Sequence, residues 1–109
     1  MANGGDLLAK NLNVSKAINT DWLDADLGPY NFSRTVRLSL WMDAGGIVNL
    51  QVANHGTTVV ENLNEAVALT ADSRYAFDIE LAPGDAVNVQ HTTGGTQAVS
   101  IRAFDVPKA

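Results

Sequence analysis

Between Ser73 and Gln90 the chain reads Ser-Arg-Tyr-Ala-Phe-Asp-Ile-Glu-Leu, then Ala-Pro-Gly-Asp, then Ala-Val-Asn-Val-Gln, and no other stretch restricts the fold as much. Side chains of an extended strand alternate between two faces, so Tyr75, Phe77, Ile79 and Leu81 share one face while Arg74, Ala76, Asp78 and Glu80 share the other. One face needs an apolar interior and the other needs water. Pro83-Gly84-Asp85 supplies a turn, because proline presets its own φ and glycine accepts backbone angles that other residues resist. Val87 and Val89 resume the apolar alternation beyond it. The stretch predicts a β-hairpin with one buried face.

The same period recurs along the chain. From Thr35 to Met42, Val36, Leu38, Leu40 and Met42 oppose Arg37, Ser39 and Trp41, which turns Trp41 away from the main core. Asp43-Ala44-Gly45-Gly46 reads as the next hairpin turn, and Ile47 to Ala53 returns with Val48, Leu50 and Val52 inward and Asn49 and Gln51 outward. Asn54-His55-Gly56 marks another turn before the β-branched run Thr57 to Val60. Val67 and Leu69 form a short apolar pair, and after a flexible turn from His91 to Thr96 the residues Val99, Ile101 and Ala103 alternate in a final strand. That strand ends near Val106-Pro107, since proline cannot donate to a ladder.

The beginning is less regular. Leu12 and Val14, extended by Ala17 and Ile18, make an imperfect first strand that Asn19-Thr20-Asp21 breaks. Asp21 to Phe32 holds Trp22, Leu23, Leu27, Tyr30 and Phe32 around a Gly28-Pro29 turn. It reads as a loop that caps one end of the core, with a contact surface as the alternative. Counting gives about eight or nine short strands and no helical period, which predicts the all-β class, an antiparallel β-sandwich of jelly-roll-like form. Residues 12–109 make a single domain, and residues 1–11, with one Leu7-Leu8 pair among Gly and Asn, read as a flexible N-terminal arm.

Charge and residue inventory exclude several functions. Twelve acidic and seven basic residues give a net charge of -5, and the basic residues stand singly at Lys10, Lys16, Arg34, Arg37, Arg74, Arg102 and Lys108. Nucleic acid and anionic membrane both call for clustered Lys and Arg, so neither is an expected partner. There is no cysteine, hence no disulfide and no thiolate metal site. No run of eighteen apolar residues and no secretory leader is present, so the expected compartment is a soluble one. Asn13-Val14-Ser15 and Asn31-Phe32-Ser33 fit the glycosylation pattern by chance spacing alone.

Candidate chemistry is sparse. His55 and His91 both adjoin turns, lack companion ligands, and read as solvated loop residues. Asp24-Ala25-Asp26 is similar to the start of a calcium loop, but Gly28 and Thr35 stand where further ligands belong. No serine sits in a nucleophile elbow, and no glycine-rich loop leads into a helix. The expectation is a protein that is not an enzyme and takes no metal or cofactor.

The run Leu63-Asn64, Leu69 to Phe77, Pro83-Gly84-Asp85 and Val87 to Gln90 resembles small structural proteins of tailed bacteriophages, in particular head decoration (cement) proteins. The resemblance extends from about Ala17 to Val106 and rests on alternation and turn residues. It implies a virion protein made in the host cytoplasm that sits on the capsid surface. Its partners would be the major capsid protein and copies of itself, commonly in a trimer. Sparse charge and outward Asn, Gln and Thr suit such packing, because no charge need be buried unpaired. Leu7, Leu8, Trp22, Tyr30 and Trp41 are the expected interface residues. The alternative is a carbohydrate- or host-surface-binding module of a tail or adhesin, with Trp22, Tyr30 and Trp41 as its sugar-contacting aromatics.

Overall fold

Seven strands form in the computed structural model, which describes residues 6–54 and 56–107: β1 (Leu7–Lys16), β2 (Arg34–Met42), β3 (Val48–Asn54), β4 (Thr57–Asn62), β5 (Arg74–Leu81), β6 (Ala86–His91) and β7 (Gln97–Val106). Period-two burial follows the sequence in β2, where Val36, Leu38, Leu40 and Met42 are buried. It holds likewise in β7, where Val99, Ile101 and Ala103 point inward. The strands make two antiparallel sheets, ordered β1-β7-β2-β5 and β4-β3-β6. Their inner faces enclose one core that includes Leu38, Leu40, Leu50, Val89, Val99 and Ile101.

Residues 19–27 occupy an irregular eighth position beside β6. Asn19 donates its backbone N–H to His91 O and Trp22 donates to Val89 O, both at 2.8 Å, and Leu27 exchanges two backbone bonds with Val87 at 2.8 and 2.9 Å. Counting this segment, the antiparallel pairs run first with last, second with seventh, third with sixth and fourth with fifth. These are the arms of one long hairpin rolled into two sheets, which is the jelly-roll order.

Two expected hairpins are absent. β5 pairs with β2 and β6 pairs with β3, so Pro83-Gly84-Asp85 carries the chain from one sheet to the other. The local turn is nonetheless the one its residues favour, with Gly84 at φ 88 and Asp85 N–H donating to Ala82 O at 3.1 Å. Residues 43–46 likewise cross from β2 to β3 instead of pairing them. Buried Gln97 holds that crossing, accepting from Ala44 N–H at 2.6 Å and donating to Gly45 O at 2.8 Å. A Cβ at Gly46, whose φ is 145, would run into the carbonyl of Thr93, so the close approach requires glycine there. A tight hairpin does join β3 to β4, with Asn54 paired to Thr57.

The expected arm is also redrawn. Residues 1–5 lie outside the described residues, while Leu7 to Asn11 belong to β1 and pair with β7. Register shifts between Leu7 and Ala9 and between Asn11 and Val14, with Asn13 at φ 53, interrupt the period of two. That interruption is why alternation shows the strand only from Leu12 and misses its first half. His55 lies outside the described residues.

His91 is a core residue, 0% exposed, and so not a solvated loop side chain. Trp22, also 0% exposed, donates its indole N–H to His91 Nδ1 at 3.0 Å. Since Nδ1 accepts, Nε2 carries the proton and donates to Gly95 O at 2.8 Å. Asn88, which alternation with Val87 and Val89 would turn outward, is 2% exposed and acts as a substitute peptide. Its Oδ1 accepts from Leu23 N–H at 2.9 Å and its Nδ2 donates to Leu23 O at 3.0 Å.

Tyr75, Phe77 and Ile79 face the core but are only partly buried, because β5 is an edge strand. Leu38→Ala, in the centre of the same sheet, is expected to cost about 2–5 kcal/mol. Phe77→Ala should cost less, which reverses the order of side-chain size, and urea unfolding of both variants checks the ranking. Asn88→Leu strands the backbone groups of Leu23 and should cost about 1–3 kcal/mol. Faster amide exchange at Trp22 and Leu23 is the local signature of that loss.

Candidate functional site

Four strands contribute one side chain each to a row across the outer face of the larger sheet. Ser100 of β7 is opposite Trp41 of β2, and Trp41 is opposite Arg74 of β5. Asn13 of β1 completes the row at the bulge, donating its backbone N–H to Ser100 Oγ at 2.8 Å. Adjacent strands lie 4.7–4.9 Å apart, so the row is about 14 Å long. These residues, with Asp72, line an open hollow of about 390 Å³.

Trp41 is half-buried, and its indole Nε1 donates to Asp72 Oδ1 at 2.9 Å. Asp72 is itself placed by a backbone bond from its N–H to Met42 O at 2.8 Å and holds φ 56. The indole is thereby fixed in orientation with part of its surface in water, the condition under which an aromatic ring can contact a ligand without first being ordered.

This face carries charges of both signs, Lys10, Arg37, Arg74 and Arg102 with Asp72, Asp78 and Glu80. Arg102 is opposite both Lys10 and Ser39 in the adjacent row, while Arg74 lies two strands away from Arg102 on β5. Farther along β2, Arg37 is committed to Asp78 through two bonds of 2.7 and 3.0 Å. The hydrogen bond from Arg37 holds the Asp78 carboxyl below the ordinary carboxylate range. The arrangement can bind through an aromatic surface, an amide, a hydroxyl and a guanidinium. It contains no activated nucleophile.

The five residues expected to form an interface do not converge. Trp22 is withdrawn from the surface entirely, because its indole N–H finds a buried acceptor in His91. Leu8 packs against the core, and Leu7, at the start of β1, is exposed. Tyr30 is half-buried beneath the Arg34 guanidinium, 4.4 Å from its ring centroid, and Arg34 is held in turn by Asp105 at 2.9 Å. Arg34 opens β2 and Trp41 lies near its end, so about 20 Å of strand separates the two aromatic clusters. Asn13, Asp72, Arg74 and Ser100 were not singled out by the sequence. Each reads as an ordinary outward polar residue until strand register sets it beside Trp41.

Among the described residues no group of three or more His, Cys, Asp or Glu side chains comes together to hold a metal ion. Of Asp24 and Asp26, the first lies 4.0 Å from Lys16 Nζ and the second accepts from Asn88 Nδ2 at 2.8 Å. No helix among the described residues is long and apolar enough to cross a membrane.

The fold and this face together define an all-β sandwich with an open surface that is both aromatic and polar. No family model matches the sequence, and a search of curated proteins gives no match. Among solved structures, the chain is similar to the CBM22-1 xylan-binding domain of Xyn10C from Paenibacillus barcinonensis, with 12% identity over 100% of each chain and a TM-score of 0.49. At that identity and score the ligand of that domain has no bearing on this chain.

The Arg37–Asp78 pair gives a pH test of the electrostatics on this face. Because the Asp78 pKa is lowered on folding, its contribution to stability is complete above the ordinary carboxylate value and fades as the pH falls through the lowered one. Arg37→Ala should return Asp78 to the ordinary range, which an NMR titration of its carboxyl resonance reads directly.

Proposed function

We propose that this protein is a non-catalytic carbohydrate-binding module whose binding surface is the row Asn13, Ser100, Trp41 and Arg74. The observation that carries the reading is Trp41, held by Asp72 on an outer sheet face with hydroxyl, amide and guanidinium groups beside it in an open hollow. A sugar ring offers an apolar C–H face and a rim of hydroxyls, and this row offers a matching aromatic surface and matching polar groups. Jelly rolls serve in both lectins and viral shells, so the fold does not choose between those roles and the site has to.

A glycan array followed by calorimetry on the best binder tests the reading. Trp41→Ala is expected to weaken binding by roughly 30-fold, the effect of losing a contact of about 2 kcal/mol, while the thermal midpoint stays near that of the parent. An array with no binder, or affinity unchanged by Trp41→Ala, would remove the support for this reading.

A second reading, decoration of a phage head, draws on a separate observation. Leu7 and Leu12 on β1 and Ile18 beyond it are large apolar side chains left exposed, and a shell partner would cover them. Removing residues 1–11 is a poor test, since it strips half of β1 from β7. Leu7→Ser with Leu12→Ser keeps the strand, and it should abolish cosedimentation with phage heads if these side chains make the contact.

A further inference from the structure

The free edges of the two sheets are not protected alike. β6 is covered by residues 19–27. β1 carries two register irregularities together with Lys10 and Lys16, and β5 carries Arg74, Asp78 and Glu80. Bulges and charge are the devices that keep edge strands from pairing with other chains. β4 has almost none of them. Its sequence is Thr-Thr-Val-Val-Glu-Asn, all six residues are exposed, and it pairs with β3 without a shift in register. It contains no proline and no lysine, and Glu61 is its one charge. Val59 and Val60 are each 54% exposed.

We infer that β4 pairs with β4 of a second copy of this chain, antiparallel about a two-fold axis at Val60, joining two three-stranded sheets into one of six strands. The backbone fixes which groups are free for this. Leu63 donates its N–H to Val48 O at 3.1 Å, so residues 57, 59, 61 and 63 direct their backbone groups to β3. Thr58, Val60 and Asn62 therefore direct theirs to the open edge. Pairing about Val60 sets Val60 opposite Val60 and Thr58 opposite Asn62, which satisfies all three.

The occupant is a second copy because the strand is its own complement. On the alternate positions of the same register Val59 meets Glu61, so the lone charge never faces its like. A two-fold contact asks for a surface that matches itself in this way. The outer face of the larger sheet, which holds Trp41, takes no part.

Sedimentation of the intact protein over a dilution series tests the inference. The expected species is a dimer of twice 11.6 kDa that dissociates on dilution. Val60→Lys and Val60→Glu each set like charges opposite one another at the axis, so each variant alone should sediment as a monomer. An equimolar mixture of the two should recover the dimer. Because Val60 is exposed, the urea midpoints of both variants should match that of the parent diluted to its monomer, which separates lost pairing from lost folding. The inference is overturned by a parent that is monomeric throughout the series, or by an assembly whose mass both variants retain. Failure of the mixture to recover the dimer overturns the two-fold register. None of these outcomes bears on sugar binding at Trp41, which lies on the other sheet.

Discussion

The attachment of residues 19–27 to β6 is the interaction on which the remaining structure depends. This segment has no alternation and forms no regular ladder, yet it fills the place of a strand at the edge of the smaller sheet. Asn88 makes that possible by lending a side-chain amide where a neighbouring strand would present a peptide group. Trp22 and His91 seal the same edge from inside, with every polar atom of the pair satisfied. A buried indole and a buried imidazole without partners would each cost a desolvation penalty, so the pair is stable only as a unit. With that edge closed, an antiparallel sheet that would otherwise expose backbone groups is covered, and the chain can roll into two layers.

The candidate site follows from the roll and from nothing local. Its residues come from β1, β2, β5, β7 and the turn before β5, separated by as much as 87 positions in sequence. Antiparallel register alone sets Ser100, Trp41 and Arg74 side by side. The same register sets Lys10 opposite Arg102 and Arg37 opposite Asp78 on that face, in a chain whose overall charge is negative. Net charge describes the average field of a protein, while a ligand at this face meets the local one.

The two surfaces of the sandwich therefore have separate characters. The larger sheet offers a polar and aromatic outer face whose groups are held by side-chain bonds such as Trp41 to Asp72 and Arg37 to Asp78. The smaller sheet offers an open edge at β4, where the free groups are those of the backbone. Side-chain surfaces recognise chemistry, and backbone edges recognise another strand. A molecule built this way can hold a ligand on one side and a copy of itself along the other without either contact obstructing the other.

What the sequence determined by itself was the class of fold and the inward or outward sense of most strand residues. Alternation at Val36 to Met42 and at Val99 to Ala103 is a property of the extended backbone, and any sheet that buries one face must respect it. Local turn chemistry at Pro83 and Gly84 was equally legible. Which strands pair was decided only by the tertiary structure, because a turn reverses the chain identically whether the next strand joins the same sheet or the opposite one. That is why two expected hairpins became crossings between layers. Where alternation was broken by the bulge at Asn13, only Leu12 and Val14 showed part of the strand, and the segment held by the amide of Asn88 left no periodic signal. The site was legible only as far as Trp41 pointing outward, since its neighbours are neighbours through register, and register is set by burial across the whole core.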